Sequence, residues 1–269
     1  MLDNRTIADA DKGLTVRQRE IVDIARARGS VDVDDLARRF RVTPQTIRRD
    51  LNQLCEGDRL QRTHGGAVLT DVQVNLGYQA RRHIAAASKR RIGELAAGLV
   101  GDGASLFINI GTTTEQVARH LRQRRSLMAI TNNVNVVNTL IGAEGVDLLV
   151  AGGAVRHEDG GIVGERTSEF LSQFQVDYAV IGTTALSEDG VLLDYDYREV
   201  LAARAIIEHA RSVILVADAS KFERTAPVRV ASIDSVDHFV TDVMPPGDLV
   251  RRCRDAGVTL HICLLYTSP

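Results

Sequence analysis

Apolar residues recur at helical spacing in three short stretches near the start of the chain. Thr15 precedes the run Val16 to Arg28, in which Ile21, Ile24 and Ala25 share a face. Thr15 with Gln18 fits a capping box and Gly29 a C-terminal stop. A second helix is expected after Asp32, with Asp34 and Asp35 in its positive-dipole first turn and Leu36, Ala37 and Phe40 as its apolar stripe. Arg41-Val42 turns the chain. Thr43 then suits an N-cap and Pro44 the first position of a third helix reaching Glu56 and ended by Gly57. Ile47, Leu51 and Leu54 recur at i, i+4 and i+7 and face inward. Leu60 to Leu69, with Gly65-Gly66 at the bend, predicts a hairpin that would form a wing.

After a connection over 70–87 the pattern changes to apolar strands alternating with helices. Strands are expected at Ala104–Ile108, Leu127–Ile130, Val146–Ala151, Tyr178–Ile181, Val213–Val216, Phe239-Val240 and Val258–Ile262. Helices are expected at Ile92–Val100, Thr113–Gln123, Val134–Ile141, Glu165–Phe174, Tyr197–Ala210 and Asp248–Ala256. Near-continuous apolar strands in this alternation predict an α/β domain with a mostly parallel sheet covered on both faces. The organisation is therefore a small helical domain over 14–69 (helix-turn-helix 31–50), a linker over 70–87 and an α/β domain over 88–263. Residues 264–269 form a tail, either frayed or non-native.

Composition sharpens this picture at three points. With no Trp and 11 Phe plus Tyr in 269 residues, the core is aliphatic, and single-strand binding on aromatic platforms is disfavoured. Cys55, Cys253 and Cys263 make no disulfide framework and lack metal-ligand spacing, which fits a reducing cytosol. No signal-peptide pattern opens the chain and no apolar run approaches 18 residues, so a cytoplasmic protein off the membrane is expected. The net charge of -2 conceals a division: residues 1–70 carry +2, residues 71–269 carry -4, and Arg38 to Arg62 alone carry +4. Such asymmetry marks either a nucleic-acid contact or a solvated helical face.

Two short helices joined by a tight turn have helix-turn-helix spacing. Thr43, Gln45, Thr46, Arg48, Arg49 and Asn52 lie off the apolar face of the third helix. Their amides, hydroxyls and guanidinium groups can read base edges and hold phosphates, with Arg62 and His64 adding contacts from the wing. A three-helix unit that binds protein is the competing reading. His64, with no His or Cys nearby, suits a turn or phosphate contact, and no metal site is expected.

In a parallel sheet, ligands sit beyond the carboxyl ends of the strands. There the sequence places Asn109-Ile110-Gly111-Thr112-Thr113, Thr131-Asn132-Asn133, Gly152-Gly153 and Asp218-Ala219-Ser220-Lys221. Gly-rich turns, hydroxyls, helix N-termini and one cation suit a small phosphorylated polyol. A plain strand-to-helix connection explains each turn singly; their convergence with Lys221 favours a site. Neither a Walker A sequence nor G-x-G-x-x-G follows a strand, which disfavours nucleotide binding, and no cofactor is expected. An enzyme drawing on Glu165, Glu199 and Lys221 for acid-base chemistry is the rival function.

Residues Thr43 to Leu51 (TPQTIRRDL) and His64 to Ala67 (HGGA) resemble the recognition helix and wing of the DeoR family of bacterial transcription regulators. Ile110 to Thr113, Thr131 to Val136, Ala151 to Gly153, Asp159 to Glu165, Tyr195 to Tyr197 with Glu199-Val200, Arg204 to Glu208 and Ser220 to Phe222 resemble family members that control glycerol metabolism. The likeness covers roughly Leu14 to Cys263. It implies a winged helix-turn-helix joined to a sugar-phosphate-sensing domain similar in fold to ribose-phosphate isomerases and CoA transferases. It further implies a homodimer or homotetramer on double-stranded operator DNA of glycerol genes, released by glycerol 3-phosphate. The effector contacts it implies are Asn109, Gly111, Thr112, Thr113, Thr131, Asn132, Asn133, Gly152, Gly153, Glu165 and Lys221. Asn109 stands where the family pattern usually has Asp.

Overall fold

A computed structural model describes residues 14–28, 30–57, 59–63, 65–69 and 78–263. The expected roles of Gly29 and His64, and the tail 264–269, fall outside the described residues. The chain divides into two compact units at Arg81/Arg82.

The first unit begins with α1 (Val16–Arg28). Its capping box forms reciprocally: the Gln18 amide donates to Thr15 Oγ1 at 3.1 Å and the Thr15 amide to Gln18 Oε1 at 3.0 Å. A strand, β1 (Ser30–Asp32), follows. Asp32 also caps α2 (Val33–Phe40), accepting from the amides of Asp34 and Asp35. Arg41, in the left-handed region at φ 54°, turns the chain into α3 (Pro44–Glu56), capped by Thr43. The wing is β2 (Leu60–Thr63) and β3 (Gly66–Leu69). Thr63 pairs with Gly66, so the second glycine of the Gly-Gly pair already belongs to β3.

The sheet order is β1-β3-β2. β1 escapes the pattern because three residues with one buried apolar side chain carry no periodicity. Gly66 is required by it: a Cβ there would lie 2.0 Å from the Val31 carbonyl oxygen. Ile21, Ala25, Leu36, Ile47, Leu51, Leu54 and Leu60 form the core of this unit, joining all three helices to the wing.

α4 (Tyr78–His83) lies at the division, and α5 (Ala86–Leu99) opens the second unit. α5 starts six residues before the expected Ile92. Its first half, Ala86 to Arg91, has helix-forming residues but no apolar stripe for a periodicity argument to find.

Seven strands build the main sheet. They are β4 (Ser105–Ile108), β5 (Leu127–Thr131), β6 (Val146–Val150), β9 (Val176–Ile181), β12 (Ala210–Val216), β14 (His238–Thr241) and β15 (Thr259–Ile262). Their order is β6-β5-β4-β9-β12-β14-β15, every pairing parallel. Successive strand residues feed opposite layers. Leu106, Ile108, Val180, Ile214 and Val216 pack in one core with α5, α6 (Thr114–Leu121) and α7 (Val134–Leu140). Phe107, Ala179, Ile181, Val213 and Leu215 pack in the other with α8 (Glu165–Leu171), α9 (Tyr197–Glu208) and α10 (Gly247–Asp255).

Two small sheets were not expected from the sequence. One is the hairpin β7 (Ala154–Val155) with β8 (Ile162–Val163); the other is antiparallel, β10 (Ala185–Leu186), β11 (Val191–Asp194) and β13 (Val228–Ser232). β7, β8 and β10, at two residues each, leave no alternation to read.

Candidate functional site

In the first unit, α3 buries Ile47, Leu51 and Leu54 and turns the opposite face outward. Gln45, Arg48, Arg49 and Asn52 are exposed, as are Thr43 and Arg62, and Thr46 is half-buried. Thr43 and Thr46 are partly committed to each other: their hydroxyls are 2.9 Å apart, and the Thr46 amide donates to Thr43 Oγ1. Arg62 donates across the wing to the Gly66 carbonyl at 3.2 Å.

Two contacts unforeseen in the sequence fix the helix. Asp50, 5% exposed, accepts from Arg17 Nε at 2.5 Å, and Gln18 Nε2 donates to Gln53 Oε1 at 2.6 Å. Both tie α3 to α1, so the exposed face of α3 is held from behind. An open hollow of about 600 Å³ beside the N-terminus of α3 is lined by Thr43, Gln45, Thr46 and Arg49 along with Arg17, Asp50 and Gln53. Amides, hydroxyls and guanidinium groups along one exposed helix face, next to a wing, form a surface suited to a DNA groove.

In the second unit the chain runs β4, β5, β6 in one direction across the sheet and then places β9 on the other side of β4. The strand order thus reverses between β4 and β9, where an α/β sheet opens a crevice at its carboxyl edge. The loops that meet there come from β5, β4, β9 and β12. A Cβ on Gly182, after β9, would sit 3.8 Å from the Ile110 carbonyl and 4.0 Å from that of Val216, which shows how closely three strand ends approach.

Around this edge lie Asn109, Gly111, Thr112 and Thr113 after β4, Thr131, Asn132 and Asn133 after β5, and Lys221 after β12. All but Gly111 are buried. Several support the turns themselves. Asn109 Oδ1 accepts from the Ile110 amide, Thr131 Oγ1 donates to the Ile108 carbonyl, and Asn133 Oδ1 accepts from the Asn135 amide to cap α7. Asn132 donates to the Ile162 carbonyl, while its Oδ1 is buried without a hydrogen bond. Gly111, at φ 151°, lets the backbone turn into α6. Gly152 and Gly153 follow the edge strand β6, and Glu165 opens α8. All three are exposed, and the two glycines after β6 are separated from β4 by β5 in the sheet order.

The β7–β8 hairpin folds toward this edge. The Ile162 amide donates to the Asn132 carbonyl at 2.7 Å, and a Cβ on Gly161 would lie 2.7 Å from Ile110 Cδ1. The hairpin carries Arg156, which binds Asp159 (2.8 and 2.6 Å), Asp196 (2.8 Å) and Glu199 (2.5 Å). Burial and the charge of Asp194 push the Glu199 carboxyl up to about 7, with Arg156 pulling against them. Arg198 and Arg156 hold Asp196 down at about 2 despite its burial. Glu199 is therefore a hairpin-to-α9 tie, its carboxylate engaged by Arg156.

Sequence reasoning missed Arg156, Thr183, Thr184 and Lys89, and gave no site role to Asp159 and Asp196, which lie in stretches that carry the family likeness. The signal of the charged residues among them was weak because charge outside a known spacing reads as surface. Thr183 and Thr184, 9% and 8% exposed, follow β9 as the Gly-Thr turn follows β4, and the strand-end rule could have found them.

Comparison with known proteins agrees with both units. A family described as the DeoR-like helix-turn-helix domain matches residues 17–73, and one described as the DeoR C terminal sensor domain matches 84–243. The glycerol-3-phosphate regulon repressor of Escherichia coli (strain K12) is 43% identical over 93% of this chain and 99% of its own length. That of Haemophilus influenzae is 41% identical over 93% and 97%. Among solved structures, ribose 5-phosphate isomerase A of Methanocaldococcus jannaschii aligns at 17% identity over 51% of this chain and 55% of its own, with a TM-score of 0.39. With a capped helix and a wing in one unit, a mostly parallel sheet in the other, family models that match both and relatives that are repressors, the chain belongs to the DeoR family of helix-turn-helix transcriptional repressors.

Proposed function

We propose that this repressor controls genes of glycerol metabolism and leaves its operator when glycerol 3-phosphate binds the carboxyl edge of the parallel sheet. The observation that carries this reading is the 43% identity, over 99% of its length, to a relative named for the glycerol-3-phosphate regulon. In this reading Gln45, Thr46, Arg48, Arg49 and Asn52 meet bases and phosphates in a major groove. Thr43 caps the helix and contacts backbone, and Arg62 and His64 reach DNA from the wing. Asn109, Gly111, Thr112, Thr113, Thr131, Asn132 and Asn133 surround the polyol phosphate, Lys221 supplies charge, and Gly152, Gly153 and Glu165 close the outer end. One such unit reads few base pairs, so a homodimer or homotetramer on repeated half-sites follows, working in the cytoplasm.

The sugar phosphate is bound and not converted. Of the acid-base candidates, Glu199 is engaged by Arg156, and Glu165 is exposed at the start of α8. An aldose–ketose interconversion assay with purified protein is expected to show no turnover above background.

The direct test is retardation of DNA taken from upstream of glycerol-metabolism genes, with glycerol 3-phosphate and fructose 1-phosphate added in parallel. Retardation relieved by glycerol 3-phosphate alone is expected. Relief by fructose 1-phosphate instead would move the effector assignment to another sugar phosphate. Arg48→Ala is expected to lose retardation, whereas Lys221→Ala retains it and loses the response to effector. Lys221→Ala losing DNA binding while binding effector normally would refute the ligand-edge assignment.

A further inference from the structure

Asp50 sits in the middle of α3, on the helix that carries the exposed row Gln45, Arg48, Arg49 and Asn52. A free carboxylate there would oppose the approach of DNA phosphate. It is not free: Asp50 is 5% exposed, and its Oδ2 accepts from Arg17 Nε at 2.5 Å. Arg17 belongs to α1, whose first turn is set by the Thr15–Gln18 capping box. Its neighbour Gln18 binds Gln53, which lies three residues beyond Asp50 and on the same flank of α3.

The bond to Asp50 takes one of the five N–H donors of a guanidinium. The two Nη groups of Arg17 make no hydrogen bond among the described residues. The side chain is 34% exposed and lines the open hollow together with Thr43, Gln45, Thr46 and Arg49. A tie between the helices accounts for Nε and leaves the outer fork unused.

Position decides what that fork can meet. An α-helix with its side chains is about 10–12 Å across, and the major groove is about 12 Å wide. α3 therefore fills the groove that it enters. A donor carried by a neighbouring helix along the flank of α3 then faces a wall of the groove, and that wall is sugar and phosphate. A guanidinium fork matches two oxygens of one phosphate.

We propose that Arg17 holds a phosphate of the operator backbone through its Nη fork, and that Asp50 is the positioning residue that aims it. The proposal rests on α3 being the DNA-reading helix and adds a backbone clamp supplied by α1. Asp50 fixes the guanidinium from behind before DNA arrives, so less side-chain freedom is lost on binding. The clamp carries no base sequence information; it sets the register in which Gln45, Arg48, Arg49 and Asn52 meet the groove.

The test uses the full chain and two duplexes of equal length, one from upstream of a glycerol-metabolism gene and one of scrambled sequence. Arg17→Gln alone leaves a buried carboxylate without its partner. Arg17→Gln with Asp50→Asn in one chain avoids this, keeps the net charge and replaces the ion pair by two amides that can bond each other. By anisotropy titration this double variant is expected to bind both duplexes about tenfold more weakly for each chain in the complex, with the ratio between the duplexes unchanged. The slope of log affinity against log salt is expected to fall by about one per chain, which a helix tie would not change. In the wild-type chain, which needs no substitution to fold, phenylglyoxal labelling read by mass spectrometry is expected to modify Arg17 without DNA and to spare it with either duplex. Unchanged affinity and slope in the double variant, or equal labelling of Arg17 with and without DNA, reduces the pair to a helix tie and overturns the proposal. A loss confined to the upstream duplex makes Arg17 a base reader and overturns it too. In each of these cases, loss of binding in Arg48→Ala leaves the α3 reading standing. If Arg48→Ala binds as the wild type does, or the wild type binds neither duplex, the α3 reading falls and the proposal with it.

Discussion

A single arginine, Arg156, gathers three carboxylates, and two of them are displaced in opposite directions. Glu199 is pushed up to about 7 from an ordinary 4.5 because burial and Asp194 outweigh the pull of Arg156. Between those values the folded chain keeps a proton that the unfolded chain has lost. Stability therefore falls as pH rises through that window and levels above it. Asp196, held down at about 2, acts the other way: its contribution is present above pH 3.8 and disappears as pH falls toward 2. Glu199→Gln imitates the protonated form. It should match the wild type near pH 5 and exceed it near pH 8, by up to about 3 kcal/mol. Thermal or urea unfolding at pH 5, 6, 7 and 8 checks this. A wild-type chain that gains stability from pH 5 to 8, or a variant that loses as much as the wild type, would contradict the assigned environment.

Glycine substitutions separate what holds an element from what merely occupies it. A Cβ on Gly66 meets the Val31 carbonyl at 2.0 Å, and that contact is backbone in a three-stranded sheet. Gly66→Ala must therefore part β1 from β3, and a loss of more than about 2 kcal/mol is expected, with operator binding lost as the wing shifts. Gly98, exposed on α5, has open space at its Cβ position. Gly98→Ala is expected to stabilise by up to about 1 kcal/mol, since alanine loses less backbone entropy in a helix. Melting of the two variants should move in opposite directions; equal shifts would mean the wing tolerates a displaced β1. The same contrast explains what the chain made legible. α1, α2, α3 and the main-sheet strands announced themselves through caps and apolar period, and Thr15-Gln18, Asp32 and Thr43-Pro44 cap as their chemistry requires. β1, β7, β8 and β10 did not, because two or three residues cannot show a period; they exist through pairing with distant segments. At the carboxyl edge of the main sheet, the turns Asn109 to Thr113 and Thr131 to Asn133 were readable as strand ends. Lys89 and Arg156 were not, because a charged side chain reads as solvent-facing until the fold buries it.

Across the whole chain, two tasks sit on separate units, and thermodynamics constrains how they can be joined. The DNA unit concentrates +4 between Arg38 and Arg62, while residues 71–269 carry -4, so the net-charge attraction to a DNA backbone comes from the first unit. If six to ten DNA phosphates are neutralised in the complex, raising salt from 50 to 200 mM lowers operator affinity about 10³- to 10⁵-fold. At the proposed effector site, binding between buried groups and one small dianion should fall far less over the same range. The two events are nevertheless one equilibrium. If glycerol 3-phosphate lowers operator affinity by some factor, operator DNA must lower glycerol 3-phosphate affinity by that same factor. Effector titrations by calorimetry with and without saturating operator, and operator titrations by anisotropy with and without saturating effector, measure the factor from both sides at one salt concentration. Agreement means that effector and operator select different arrangements of the same chain. A large shift from one side with none from the other would mean that release in the retardation assay comes from competition at the DNA face, and the ligand edge would lose its assigned role.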